Sequence, residues 1–375
     1  METGELTVKL KQEAVRLGFS LTGVAPAVTP AGAARFDDWL AAGYAGQMHY
    51  LADRREAYKH PRHVLDGVRS VVMLAMEYRS AEPTPPRPGA GRVSRYAWGE
   101  TDYHELIRER LNRLADHLRE WQPTAQVRGV VDTAPLLERE FAQLAGLGWI
   151  GKHTLLLNRD RGSWFFLAAL LTDLELSYDL PHETDHCGTC RACLDACPTD
   201  AFPQPHVLDA SRCISYLTIE LKEAIPVELR SGVGEWLFGC DVCQEVCPWS
   251  SHAALNRQAL FEPSADSNPI DLIRLFELDE AAFRERFRHT PLWRPKRRGI
   301  LRNAAIVLGN RPTHAALAAL VRGLDDEEPL VRGAAAWALS HYDDPAAAAA
   351  LERRRGVEVD AEVCREIEDA VARRR

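Results

Sequence analysis

Apolar residues recur along the first 175 residues with two different periods. Thr7–Leu17 and Leu106–Leu118 carry them every three to four positions, the second at Leu106, Ile107, Leu111, Leu114 and Leu118, and both predict amphipathic helices. Leu21–Ala25, Ser70–Ala75 and Val127–Val131 are short β-prone runs. Trp164–Leu171 is continuously apolar, which fits either a buried strand or the start of a buried helix. Strands separated by helices predict a layered α/β domain over residues 1–175. Four prolines between Glu82 and Arg92 mark a surface loop inside it.

The periodicity weakens over residues 176–255, where only Ser215–Ala224 reads as helix. From 256 to 375 the pattern is helical throughout. In Ala315–Ala338 one helix ends near Gly323-Leu324-Asp325 and Pro329 opens the next, with alanines on a face that can pack closely. Arg302-Asn303-Ala304-Ala305 and Arg332-Gly333-Ala334-Ala335 stand 30 residues apart, so this part reads as a short HEAT-like repeat with Ala361–Arg373 as a capping helix. The expected whole is an α+β multidomain protein with boundaries near 175 and 255.

Composition narrows the class. The chain of 375 residues has room for two or three domains, and its 46% hydrophobic content supports real cores. No run approaches the roughly 20 apolar residues that span a bilayer. The start, Met1 to Lys9, shows no basic segment followed by an apolar run. A cytoplasmic monomer without membrane contact is expected. The net charge of −8 argues against general nucleic-acid binding, although a local basic patch can exist inside an acidic whole.

Eight of nine cysteines lie between positions 187 and 247. Cys187, Cys190, Cys193 and Cys197 follow at tight spacing and end in Cys-Pro; Cys213 comes next, then Cys240, Cys243 and Cys247, again before proline. This is the two-cluster pattern, in which the fourth cysteine of a tight run ligates the other cluster. Cys187, Cys190, Cys193 and Cys247 are expected on one [4Fe–4S] cluster, and Cys197, Cys213, Cys240 and Cys243 on the second, in a ferredoxin-like domain over 176–255. Zinc prefers paired Cys-x-x-Cys or added histidines, and a disulfide framework would not be confined to one segment. Cys364, in the helical tail, reads as a small buried apolar residue.

Arg284, Arg286, Arg288, Arg294, Lys296, Arg297, Arg298 and Arg302 form a basic segment opposed only by Glu285. Beside a helical repeat this suits a phosphate backbone, and RNA better than duplex DNA, since no major-groove reading motif is visible. A solvated surface run is the plainer reading.

Taken together, these motifs resemble the epoxyqueuosine reductase family over nearly the whole chain. The resemblance is carried by Gly46-Gln47-Met48-His49-Tyr50-Leu51, Arg95-Tyr96-Ala97-Trp98-Gly99-Glu100-Thr101-Asp102-Tyr103-His104, Val131-Asp132-Thr133, Gly148-Trp149-Ile150-Gly151-Lys152, Gly162-Ser163-Trp164, both cysteine runs, and Arg298-Gly299-Ile300-Leu301-Arg302-Asn303. It implies reduction of epoxyqueuosine to queuosine at the wobble position of tRNA, and kinship with reductive dehalogenases. It also implies cobalamin, expected between the first domain and the cluster domain and fed with electrons by the clusters. Spacing alone does not suggest cobalamin: no Asp-x-His-x-x-Gly motif is present. The electron donor is external and unnamed.

The resemblance makes Asp132 the proton donor and a cobalamin neighbour; the alternative is that it caps the following helix. Asp102, Tyr103 and His104 are implied substrate contacts, and Arg294, Arg297, Arg298 and Arg302 are the expected tRNA contacts. Tyr96, Ser163, Ser215, Thr218, Asp241 and Val242 are implied cobalamin contacts, although hydroxyls often satisfy local backbone instead. Lys152 suits a phosphate of the cofactor tail or of RNA, or plain surface. The chain departs from the family's pattern at His153, at Ala168-Ala169 and at Ser250, which weakens the cobalamin contacts more than the cluster ligands. Two rival classes stay open. A cobalamin–iron–sulfur reductase of a small molecule would not bind tRNA, and a two-cluster electron-transfer protein would hold no corrin.

Overall fold

The computed structural model describes residues 2–256 and 259–374. The chain forms two compact units that alternate along the sequence. The first is built from Met1–Ser80, Tyr103–Ala210 and Val242–Gln258, and the second from Ala81–Asp102, Ser211–Asp241 and Ala259–Arg375. Among the described residues no helix is long and apolar enough to cross a membrane.

The first unit is organised by a four-stranded sheet in the spatial order Leu21–Pro26, Ser70–Glu77, Phe165–Thr172, Val127–Val130. Every pairing is antiparallel, with Val24 opposite Val72, Val72 opposite Leu170, and Val130 opposite Ala169. The layered α/β reading is therefore corrected: helices interrupt the strands in sequence, yet no parallel crossover forms. Ser70–Glu77 alternates its side chains between two covered faces. Val71, Met73 and Ala75 pack with Phe141 and Ala142 of the helix Glu138–Leu144, while Val72, Leu74 and Met76 are equally buried. Burial on both faces explains why the central strands read as unbroken apolar runs. It also resolves Trp164–Leu171 as strand.

The helix Tyr103–Trp121 buries Ile107, Leu111, Leu114, Ala115 and Leu118, the predicted stripe. It approaches the sheet so closely that a Cβ on Gly129 would lie 2.9 Å from the Leu111 Cβ. The helix Thr3–Arg16 buries Leu6, Leu10 and Ala14.

In the second unit Trp236–Phe238 pairs parallel to Ala90–Val93, which pairs antiparallel to Ile270–Asp271. That last strand interrupts the segment expected to be wholly helical. Among the described residues the short helices Leu272–Leu275 and Glu280–Phe287 follow, then Lys296–Asn310, Leu317–Gly323, Pro329–Leu339, Pro345–Arg355 and Ala361–Arg373. Lys296–Asn310 is buried along most of its length, and a Cβ on Gly309 would meet the Trp337 ring at 2.6 Å. Ala304, Ala305, Ala334, Ala335 and Ala338 are buried, as the small-residue pattern predicts. Asp344 and Asp360 cap the last two helices. Arg332 forms a two-pronged pair with Glu358, at 2.8 Å to each oxygen.

The helix expected over Ser215–Ala224 is shorter, Ile214–Ile219. Arg302 explains where it stops. Its guanidinium donates to the carbonyls of Leu217, Leu221 and Glu223 at 2.6, 2.7 and 2.5 Å, and Asn303 donates to that of Thr218 at 2.8 Å. The carbonyls of Leu217 and Thr218 are ones that a helix running to Ala224 would use internally, and those of Leu221 and Glu223 would be among its unpaired last four.

Candidate functional site

Four thiols gather in the first unit on chain that has little regular structure. Cys187 and Cys190 lie in a loop, Cys193 on the short helix Ala192–Asp195, and Cys247 directly before Pro248–Ser251. Cys193 and Cys247 are buried, Cys187 is half-buried and Cys190 is exposed; all are free thiols. Burial, and then the neighbouring Cys247, Cys187 and Cys190, push the Cys193 thiol up to about 11. Four sulfurs so placed resist ionising together unless cations sit among them. That fits a cluster better than an empty thiol site.

Among the described residues no three His, Cys, Asp or Glu side chains converge tightly enough for a single metal ion. A cubane puts each thiolate on a separate iron and needs no such convergence. Trp149 and Leu157 pack against Cys247, with Cys187 and Trp249 alongside. Of the other four cysteines, Cys197 and Cys243 belong to the first unit and Cys213 and Cys240 to the second. The odd residue, Cys364, is half-buried on the last helix.

A second group forms where the strand Val127–Val130 ends. Asp132 takes a left-handed φ of 56° and its N–H donates to Glu138 Oε1 at 3.0 Å. Its side chain is 53% exposed, and its Oδ2 lies 3.1 Å from His104 Nε2. Tyr103 stacks at 4.0 Å on both Phe166 and His104, fixing the first turn of the helix Tyr103–Trp121. Arg54 Nη1 donates to the Thr133 carbonyl at 3.2 Å.

The capping alternative for Asp132 is not what forms: the next helix, Glu138–Leu144, starts after Leu137 without a side-chain cap. Burial falls on Glu138, whose pKa is pushed up to about 8 by desolvation and then by the charge of Asp132. Sequence reasoning missed Glu138 because a glutamate opening a helix has an ordinary reason to be there.

The remaining expected contacts differ in burial and in their internal hydrogen bonds. Ser163 is buried; its hydroxyl donates to Gln244 Oε1 at 2.9 Å and lies 3.0 Å from Ser250 Oγ. Thr218 is buried, donating to the Ile214 carbonyl at 2.7 Å and accepting the Gly239 N–H at 3.0 Å. Asp241 is 1% exposed and accepts the backbone N–H of Arg95 at 2.9 Å, its guanidinium at 3.2 Å, and the Ser94 hydroxyl. All three make internal hydrogen bonds; Thr218 bonds local backbone, whereas Ser163 bonds the side chains of the distant Gln244 and Ser250. Tyr96, Ser215 and Val242 keep partly exposed surface. Asp102 belongs to the second unit, where its N–H donates to the His289 carbonyl at 2.7 Å. Of the departures from the family pattern, His153 is buried and pushed down to about 4, mainly by desolvation, while its Nδ1 accepts the Leu155 N–H. Ser250 accepts the Ser163 N–H, and Ala169 lies in the sheet core.

The basic segment also divides, which corrects two expected phosphate contacts. Arg302 is 1% exposed and fully engaged by carbonyls. Arg297 is buried against Asp326, at 2.6 Å, and the Leu278 carbonyl. Arg298 is exposed, and Arg294, nearly half-exposed, pairs with Glu220 at 2.8 Å. Lys296 has a φ of 62° and lies over the Trp293 ring at 3.8 Å.

Comparison with known proteins accounts for each part. Residues 59–133 match the family described as epoxyqueuosine reductase QueG, DUF1730; residues 186–250 match the 4Fe-4S double cluster binding domain; residues 297–372 match HEAT repeats. The chain is 42% identical over 350 residues to the epoxyqueuosine reductase of Pseudomonas aeruginosa, covering 92% of this chain and 96% of that one. It is 38% identical over 344 residues to that of Escherichia coli, covering 91% and 90%. A crystal structure of epoxyqueuosine reductase with an epoxyqueuosine-modified tRNA-Tyr stem loop superposes with a TM-score of 0.92 at 32% identity, over 99% of each chain. One from Bacillus subtilis, with its catalytic loop swung out of the active site, superposes with the same TM-score of 0.92 at 31% identity. The protein is a mixed α+β oxidoreductase, and the chain belongs to the epoxyqueuosine reductase family.

Proposed function

We propose that this protein reduces epoxyqueuosine to queuosine at the wobble position of tRNA, with cobalamin and two [4Fe–4S] clusters as cofactors. The observation that carries the reading is the Asp132–His104 pair, 3.1 Å apart on a helix start and a left-handed loop, in a chain of this family. The reaction takes the epoxide, two electrons and two protons to an alkene and water. The oxygen leaving the ring is a poor leaving group as an alkoxide and needs a proton.

Asp132 supplies that proton from its exposed carboxyl, and His104, bonded to the same oxygen through Nε2, orients the acid and restores its proton. Tyr103, clamped between His104 and Phe166, keeps the imidazole in place. The exposed Arg298 and Arg294 engage tRNA phosphates, where arginine makes paired contacts. Arg297 and Arg302 support the helix on which Arg298 sits.

Cys187, Cys190, Cys193 and Cys247 hold one cluster, and Cys197, Cys213, Cys240 and Cys243 hold the other. Tyr96, Ser215 and Val242 are the residues with surface left for cobalamin. Bound cobalamin would supply a reducible cobalt able to open a strained ring. Functionally, the division near residues 175 and 255 separates cofactor and acid, clusters, and tRNA platform. Protein reconstituted with iron, sulfide and cobalamin should retain cobalt with a corrin absorption spectrum. It should also bind unmodified tRNA with an affinity that falls steeply with salt. Iron and sulfide without cobalt retention, or no tRNA binding at low salt, would defeat the reading.

A further inference from the structure

Trp149 is 1% exposed, and its indole N–H is buried without a hydrogen-bond partner. An unsatisfied buried donor is rare in a well-packed interior and asks for an acceptor. The ring packs with Cys187 and Cys247 and meets Trp249 edge-on at 5.3 Å.

Lys152 does not reach toward a phosphate. Its Nζ donates to the carbonyls of Gly188 at 2.6 Å and Cys190 at 2.8 Å, both in the loop that presents Cys187 and Cys190. No carboxylate pairs with it among the described residues, so its charge is not cancelled locally. The segment is pinned on its other side: His206 donates its N–H to the Lys152 carbonyl at 2.9 Å, and its Nδ1 lies 3.1 Å from the Gly151 carbonyl. The opposing charge nearby is Asp185, which accepts the Cys187 N–H at 2.8 Å.

We propose that Trp149 and Lys152 tune the cluster held by Cys187, Cys190, Cys193 and Cys247: Trp149 donates its indole N–H to a cluster sulfur, and Lys152 braces the ligand loop and sets a fixed positive charge beside it. The inference rests on the ligand pairing given above. Hydrogen bonds to sulfur and nearby positive charge both favour the reduced, more negative cluster and so raise its reduction potential.

The test is a redox titration of the reconstituted full-length protein followed by electron paramagnetic resonance. In Trp149→Phe and in Lys152→Met the midpoint of one cluster should fall. The expected size is on the order of a tenfold change in the oxidised-to-reduced ratio, about 59 mV for one electron. The other cluster should not move, and Lys152→Arg should restore the native value. Both variants loaded with unchanged midpoints would overturn the proposal. Cys190→Ser identifies the tuned cluster by removing its signal; loss of neither signal would overturn the pairing instead. For a variant that fails to load, electron–nuclear double resonance of the unaltered protein decides. An indole proton that couples to the reduced cluster and is lost in D2O supports the assignment, and its absence overturns it.

Discussion

The Glu138 carboxylate accepts the backbone N–H of Asp132 at 3.0 Å, and Asp132 is held there in a left-handed conformation. A non-glycine residue pays for that backbone geometry, and such conformations persist where surroundings impose them. Glu138 therefore positions Asp132 from below while His104 meets its side chain from the helix start. The Glu138 carboxyl is half-buried and high in pKa, and that of Asp132 is 53% exposed.

Glu138 makes stability depend on pH with a definite sign. Its pKa is raised from an ordinary 4.5 to about 8, so the folded state holds a proton that the unfolded state releases earlier. The stabilisation is full below about 4.5 and is lost as pH rises through about 8. Glu138→Gln keeps the acceptor oxygen and removes the titration. Thermal melts should show the unaltered protein losing stability relative to Glu138→Gln between pH 5.5 and about 9; parallel curves would contradict the burial of this carboxyl.

Asp132→Asn preserves shape and removes the proton. Turnover should fall by about 10²- to 10⁴-fold, the usual contribution of a positioned general acid, while tRNA affinity changes less than about twofold. His104→Ala should lower turnover less, because water can return a proton to an exposed carboxyl. Quenched-flow turnover beside a filter-binding assay separates the two effects.

Neighbouring arginines should behave oppositely. Arg302→Met strips charged donors from the buried carbonyls of Leu217 and Leu221 and from the part-buried carbonyl of Glu223, and should cost on the order of 3 kcal/mol of stability. Arg298→Ala should leave the melting temperature nearly unchanged. It should weaken tRNA binding and reduce the slope of log affinity against log salt by about 0.7 to 0.9, the share of one phosphate contact. A folded Arg302→Met protein with native stability would remove the structural role assigned to that residue.

Cysteine spacing and apolar periodicity are local signals, and they were legible. The stripe of Tyr103–Trp121, the strand Ser70–Glu77 and the capping helix Ala361–Arg373 lie where periodicity puts them. Strand direction was not legible, because intervening helices suit parallel and antiparallel sheets alike. Arg302 and Arg298 look alike in sequence, four residues apart in one helix; only the carbonyls of Leu217, Leu221 and Glu223 distinguish them. Asp132 was marked by family resemblance, but Glu138, which positions it, was not. Neither reading of Lys152, phosphate contact or plain surface, included its carbonyl acceptors, which lie about 37 residues away in a loop with no periodic signal.

The most direct measurement of the central claim is nucleoside mass spectrometry of epoxyqueuosine-containing tRNA after incubation with the reconstituted protein and a strong reductant. With both clusters and cobalamin loaded, the wobble nucleoside should lose one oxygen and become queuosine, and omission of cobalamin or the Asp132→Asn change should prevent it. A fully loaded protein that binds this tRNA yet leaves the epoxide intact would contradict the account.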